Sequence, residues 1–131
     1  MTPTPKRFRR LVAAALAARR SAYAPYSKFR AGAALLTRGG KMYTGANVEN
    51  ASFGLTICAE RVAVAKAVSE GHRKFHAIAV VAPRADLSPC GACRQVLAEF
   101  GGCVVICADS RNTRRAQVHL LSELLPKAFN L

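Results

Sequence analysis

The chain has 131 residues, 51% of them apolar, and a mean hydropathy of +0.11. That length suits a single domain over residues 1–131 with a genuine buried core, and the composition excludes wholesale disorder. Twenty Lys and Arg against seven Asp and Glu give a net charge of +13, with eight bases and no acid in residues 1–30. Such a surface attracts nucleic acid or other polyanions. No aromatic run interleaves these bases as a single-strand-binding groove requires, so a solvated basic face is the favoured reading. No uncharged apolar run approaches the ~18–20 residues of a membrane span.

Phe8, Leu11, Val12, Ala15 and Leu16 fall on one helical face, which predicts a first helix packed on the domain and not a targeting peptide. A cytoplasmic protein is therefore expected, in which the Asn50-Ala51-Ser52 sequon is idle. A turn at residues 24–27 leads to two strands over 30–37 and 41–47, joined at Arg38-Gly39-Gly40. Residues 58–70 keep helical spacing, with Gly71 as the C-cap. The continuous apolar run 77–82 predicts a strand buried on both faces, followed by a loop over 83–88. Residues 91–100 read as a helix stopped by Gly101-Gly102, and 104–108 as another buried strand. A polar stretch, 109–115, leads to a short strand near 117–119 and a last helical turn before Pro126. This order describes a mixed sheet covered by helices.

The five cysteines are odd in number, which argues against a disulfide framework. Cys90 and Cys93 open one predicted helix; Cys58 opens another and is followed two residues later by Glu60. Orphan N–H groups and the dipole at a helix N-terminus favour thiolate, the form that binds zinc at about 2.3 Å. Three protein ligands leave the fourth position open for catalysis. Cys103 and Cys107 lie four apart on a predicted strand, roughly 13 Å, too far to share one zinc. They read as small buried apolar residues. His72, His76 and His119 have no ligand-like spacing. Cys90 and Cys93 alone would also suit a redox motif or half a zinc knuckle. A redox motif has no need of Cys58-Ala59-Glu60, and a knuckle lacks its fourth ligand. The combination is the three-cysteine form of the zinc-deaminase signature, with Glu60 as a non-ligand general acid and base.

The flanking segments extend this. Tyr26-Ser-Lys-Phe29-Arg-Ala-Gly-Ala-Ala, Thr44-Gly-Ala-Asn47-Val-Glu49-Asn50-Ala-Ser, Cys58-Ala-Glu60-Arg61, Ser88-Pro-Cys90-Gly-Ala-Cys93-Arg-Gln and Leu124-Leu-Pro-Lys-Ala-Phe129 resemble the short homotetrameric cytidine deaminases. The likeness runs from about Phe8 to Phe129. Blasticidin-type deaminases share the zinc motifs but lack the Asn-x-Glu-Asn block. The resemblance implies an α/β fold, a three-layer α/β/α sandwich with a five-stranded mixed sheet. It implies hydrolytic deamination of cytidine and deoxycytidine to uridine and deoxyuridine in pyrimidine salvage.

Matched by position, the resemblance makes Cys58, Cys90 and Cys93 the ligands of one zinc per chain and Glu60 the proton shuttle. It assigns Asn47 and Glu49 to ribose hydroxyls, Phe29 to a pocket wall and Ala59 to a backbone contact with the base. Phe129 matches an aromatic that reaches into a neighbouring subunit's site. Its bland alternative is a core anchor for the last helical turn. Phe53, matched to a further substrate-binding position, stands where many members carry Tyr, which keeps a packing role but removes a hydroxyl. Three thiolates on one Zn²⁺ leave a charge of −1, and Arg61 is the matched compensating cation, an ordinary surface Arg being the alternative. The loop 83–88 is short against the family, a departure expected to alter either an edge of the site or the tetramer contact. The expected partners are a small nucleoside and further copies of the chain, with no specific nucleic acid and no membrane. Two rivals stay open: a deaminase acting on polynucleotide, which +13 invites, and a zinc-bearing nucleic-acid-binding module, which would have no need of Glu60.

Overall fold

The apolar runs of the sequence set the order of the sheet. The computed structural model describes residues 1–131 and places, in chain order, β1 (Thr2–Pro3), α1 (Arg9–Ala18), β2 (Gly32–Thr37), β3 (Met42–Ala46), α2 (Ala59–Ser69), β4 (Phe75–Ala82), α3 (Gly91–Ala98), β5 (Val104–Asp109), β6 (Asn112–Leu120) and α4 (Leu121–Leu124). The strands form one mixed sheet in the order β1-β6-β5-β4-β2-β3. Only β4 and β5 run parallel.

Three strands are buried on both faces, as their unbroken apolar sequences require. Leu35, Ile78, Val80, Val105 and Cys107 belong to the core that also holds Ala63, Val64 and Leu97 of α2 and α3. The alternate residues Ala34, Ala77, Ala79, Val81, Ile106 and Ala108 pack with Phe8, Leu11, Val12 and Ala15. These two cores make the molecule a three-layer α/β/α sandwich. Cys103 and Cys107 are buried in the first core, in keeping with their reading as packing residues. Burial pushes their thiols up to about 11 and about 12 respectively.

Two expectations are corrected. The sheet has six strands, not five, because Thr2 and Pro3 pair antiparallel with Ala116 and Arg115. Thr4 continues the contact, its N–H donating to the Arg114 carbonyl at 2.8 Å and its hydroxyl to the Thr113 carbonyl at 2.7 Å. A proline is tolerated on such an edge because no further strand needs its missing N–H. The last strand spans nine residues, Asn112–Leu120, where only 117–119 is expected. Its first half, Asn112–Arg115, has no apolar residue, so the sequence signals only the second half, where Ala116, Val118 and Leu120 alternate with polar residues. Asp109 turns the chain between β5 and β6, accepting the Arg111 N–H at 2.9 Å and pairing with the Arg111 guanidinium.

Gly45 decides how closely α2 sits on the sheet. A Cβ there would lie 2.5 Å from the Ala59 carbonyl oxygen and 2.7 Å from the Ala63 nitrogen. Gly45→Ala is therefore expected to push out the first turn of α2 and to destabilise the fold by about 1–3 kcal/mol, read as a lower urea midpoint. No helix is long and apolar enough to cross a membrane.

Candidate active site

Cys58 is the N-cap of α2 and Cys90 the N-cap of α3, each with extended backbone. Cys93 lies one turn into α3 and is fully buried. The two helix ends therefore aim their unpaired N–H groups, and three sulfurs, at one point. The Cys58 and Cys90 sulfurs are 3.7 Å apart and the Cys90 and Cys93 sulfurs 3.5 Å, all three within 4.8 Å of one another. A zinc tetrahedron with bonds of 2.3 Å has a sulfur–sulfur edge of about 3.8 Å, so the thiols fit that ion. No fourth Cys, His, Asp or Glu joins the cluster. The donor set is thus soft, compact and open on one side.

The electrostatics favour the charged form at one sulfur. Hydrogen bonding from Cys93, supported by Arg61 and Cys90, lowers the Cys58 thiol to about 5. The same contact and burial raise Cys93. Arg61 Nη2 lies 3.6 Å from Cys58 Sγ and donates to the Thr56 carbonyl at 3.3 Å. Its buried Nε has no hydrogen-bond partner. Arg61 is therefore a half-buried cation against the thiols, which the alternative of an ordinary surface Arg does not describe.

A cavity of about 260 Å³ opens on this cluster, lined by Phe29, Asn47, Glu49, Cys58, Ala59, Glu60 and Cys90 among others. The structure thus brings together seven of the residues singled out in the sequence. A larger groove of about 450 Å³ between α1 and β6 holds none of them. Glu60 is only 5% exposed, and burial is the main cause that raises its carboxyl pKa, with the Cys58 charge adding to it. Asn47 is buried, accepting the Ala31 N–H at 2.9 Å and donating to the Phe29 carbonyl at 2.7 Å. It braces the cavity wall and keeps one amide N–H free of these two bonds.

Ser27 is a residue that the sequence reading missed. Its hydroxyl donates to Glu49 Oε2, while the backbone N–H groups of Tyr26 and Ser27 donate to Oε1 at 3.0 and 3.1 Å. The Ser27 hydrogen bond is the main cause that lowers the Glu49 pKa. Nothing local in Tyr26-Ser27-Lys28 announces this; the partner is 22 residues away. Leu87 and Ser88 of the loop 83–88 also line the cavity, as does Thr56, which was not singled out for it. Phe53 and Phe129 lie outside it, 74% and 72% exposed, with the Phe53 ring 6.0 Å from that of Tyr26. Phe129 is accordingly no core anchor.

Three cysteines placed to hold one metal ion, open on one side and sharing a cavity with a buried non-ligand carboxyl, define the zinc-deaminase class. Comparison with known proteins narrows the class. Residues 5–109 match the family model of the cytidine and deoxycytidylate deaminase zinc-binding region. A cytidine deaminase of Halalkalibacterium halodurans is 51% identical over 120 residues, covering 91% of each chain. A probable cytidine deaminase of Dictyostelium discoideum is 53% identical over 112 residues, 83% of this chain and 74% of that one. The crystal structure of cytidine deaminase from Burkholderia pseudomallei superposes with a TM-score of 0.88 at 46% identity, covering 96% of this chain and all of the other. The chain belongs to the cytidine and deoxycytidylate deaminase zinc-binding family, and zinc is its metal.

Proposed function

We propose that this chain hydrolyses the exocyclic amine of cytidine and deoxycytidine, giving uridine or deoxyuridine and ammonia. The observation that carries the reading is the buried Glu60 carboxyl in the same small cavity as the open three-thiolate cluster. When bound by Cys58, Cys90 and Cys93, zinc supplies an acidified water as the nucleophile. Glu60 takes a proton from the attacking water and passes it to ring nitrogen N3, so that the water oxygen bonds to C4. It then moves the second proton, from the hydroxyl now on C4, to the exocyclic amine; the C4–N bond breaks and ammonia leaves. Burial raises the affinity of this carboxyl for the proton it carries. Ala59 meets the base through its backbone and Phe29 forms a wall. The free lone pairs of Glu49 and the remaining amide N–H of Asn47 hold the ribose hydroxyls. Arg61 offsets the negative charge of three thiolates on a divalent ion.

The test is direct. Purified protein mixed with cytidine should convert it to uridine, followed as a fall in ultraviolet absorbance. Zinc-loaded protein that leaves cytidine and deoxycytidine intact would overturn the reading.

The whole chain, 1–131, acts as one domain in cytoplasmic pyrimidine salvage, as a homotetramer of about 56 kDa built from 14.0 kDa copies. The exposure of Phe129 and Phe53 supports this, since one chain gives these large rings little cover. Phe129 stacks on the base in a neighbour's site, and Phe53 packs at the same contact. Phe129→Ala is expected to raise KM about ten-fold while one zinc per chain remains. Light scattering that finds a fully active monomer at assay concentration would refute the shared site.

A further inference from the structure

Arg94 follows the ligand Cys93 on α3, and its guanidinium spans separate pieces of the chain. Nε donates to the Pro89 carbonyl at 2.8 Å, Nη1 to the Leu124 carbonyl at 2.8 Å and Nη2 to the Ser88 hydroxyl at 2.6 Å. No carboxylate pairs with it. Pro89 is buried and directly precedes the ligand Cys90; Ser88 lines the cavity. Leu124 is the last residue of α4, where helix carbonyls have no partner of their own. The next residue, Gln95, donates from Nε2 to the Phe129 carbonyl at 2.9 Å.

We propose that Arg94 is a positioning residue that locks the 88–90 segment, and with it the Cys90 thiol and one cavity wall, to the C-terminal segment. The donors of a guanidinium lie in one plane at fixed angles, so bonds to three acceptors set the orientation of the segment as well as its distance. A lysine ammonium has no such plane and cannot reproduce the three directions. Without the lock, Cys90 shifts relative to Cys58 and Cys93, and the Ser88 side of the cavity shifts with it. Zinc is then held less firmly and substrate binds less well. Gln95 extends the same tie to the backbone of Phe129, so the tail that bears this ring is anchored on the helix that bears two zinc ligands.

The inference rests on the zinc-dependent turnover proposed above, and its main readout is taken without substrate so that the two can fail separately. Zinc release from loaded protein to a colorimetric chelator is measured for wild type, Arg94→Lys, Arg94→Ala and Ser88→Ala, alongside KM, kcat and Tm. Arg94→Lys is expected to release zinc about ten-fold faster and to raise KM more than it lowers kcat. Arg94→Ala should recover part of both when millimolar guanidinium is added. If Arg94→Ala does not fold, Arg94→Lys and Ser88→Ala carry the test. Ser88→Ala should show a smaller rise in zinc release and add nothing to Arg94→Lys, because both remove the same bond. Wild-type zinc release and KM in Arg94→Lys would overturn the proposal. So would a fall in Tm with zinc release unchanged, or full additivity of the two substitutions.

Discussion

Glu60→Gln should keep about one zinc per chain and lose turnover by about 10²–10⁴-fold or more, the range of a positioned proton-transfer group. The amide has nearly the shape of the carboxyl, so the cavity stays packed around it. It has no exchangeable acid proton to give to N3 or to the leaving amine. The three sulfurs are untouched, because Glu60 lies beside the thiol cluster and is not one of its ligands. Metal analysis and turnover on the same sample measure the two consequences independently. Ser in place of Cys58, Cys90 or Cys93 should do the reverse, releasing zinc and lowering stability, since metal binding here contributes to folding. A Glu60→Gln enzyme with substantial activity would remove Glu60 from the mechanism. Its inactivity with zinc retained would exclude a module in which the metal only shapes a nucleic-acid-binding surface.

The zinc cluster was legible in the sequence because part of its geometry is local. Cys90 and Cys93 are one helical turn apart at the start of α3; Cys58, 32 residues from Cys90, was legible as the cysteine that opens the other helix and completes the signature with Glu60. The central strands were legible for a similar reason: a strand covered on both faces is apolar throughout. The sheet's edges were not. β1 is two exposed residues, one of them proline, and the first half of β6, Asn112–Arg115, has no apolar residue, so neither segment shows the alternation that betrays a strand. The supports of the site were equally hidden. Ser27 under Glu49 and Arg94 across Ser88, Pro89 and Leu124 act through contacts between distant segments, and their residue types are ordinary for exposed positions. Asn47 was legible as a site residue, but its bracing of Phe29 and Ala31 depends on the approach of β2 and its leading segment to the end of β3.

Free cytidine and deoxycytidine should be turned over efficiently, whereas 3′-CMP and a single-stranded oligonucleotide should show kcat/KM at least about a hundred-fold lower at physiological salt. The reason lies in Glu49. Ser27 and two backbone N–H groups hold its carboxyl below the ordinary range, so it is fully ionised at neutral pH. On the proposal that it grips the ribose hydroxyls, that carboxylate would face any phosphate on the 3′ oxygen with a like charge. The cavity, about 260 Å³, also leaves little room for flanking nucleotides. Against this stands the +13 charge, in which only Arg84 and Arg111 of the 20 Lys and Arg pair with a carboxylate. Such an unneutralised surface binds polyanions, but through phosphates, without regard to sequence and with a steep loss of affinity as salt rises. Binding of that kind gathers nucleic acid on the outside of the molecule and does nothing to bring a cytosine past Glu49. The two effects separate on a salt titration: oligonucleotide binding should fade between about 50 and 200 mM salt, while cytidine turnover should barely change. Comparable kcat/KM on an oligonucleotide and on cytidine would show instead that the basic surface delivers the substrate, and that the free nucleoside is not the preferred one.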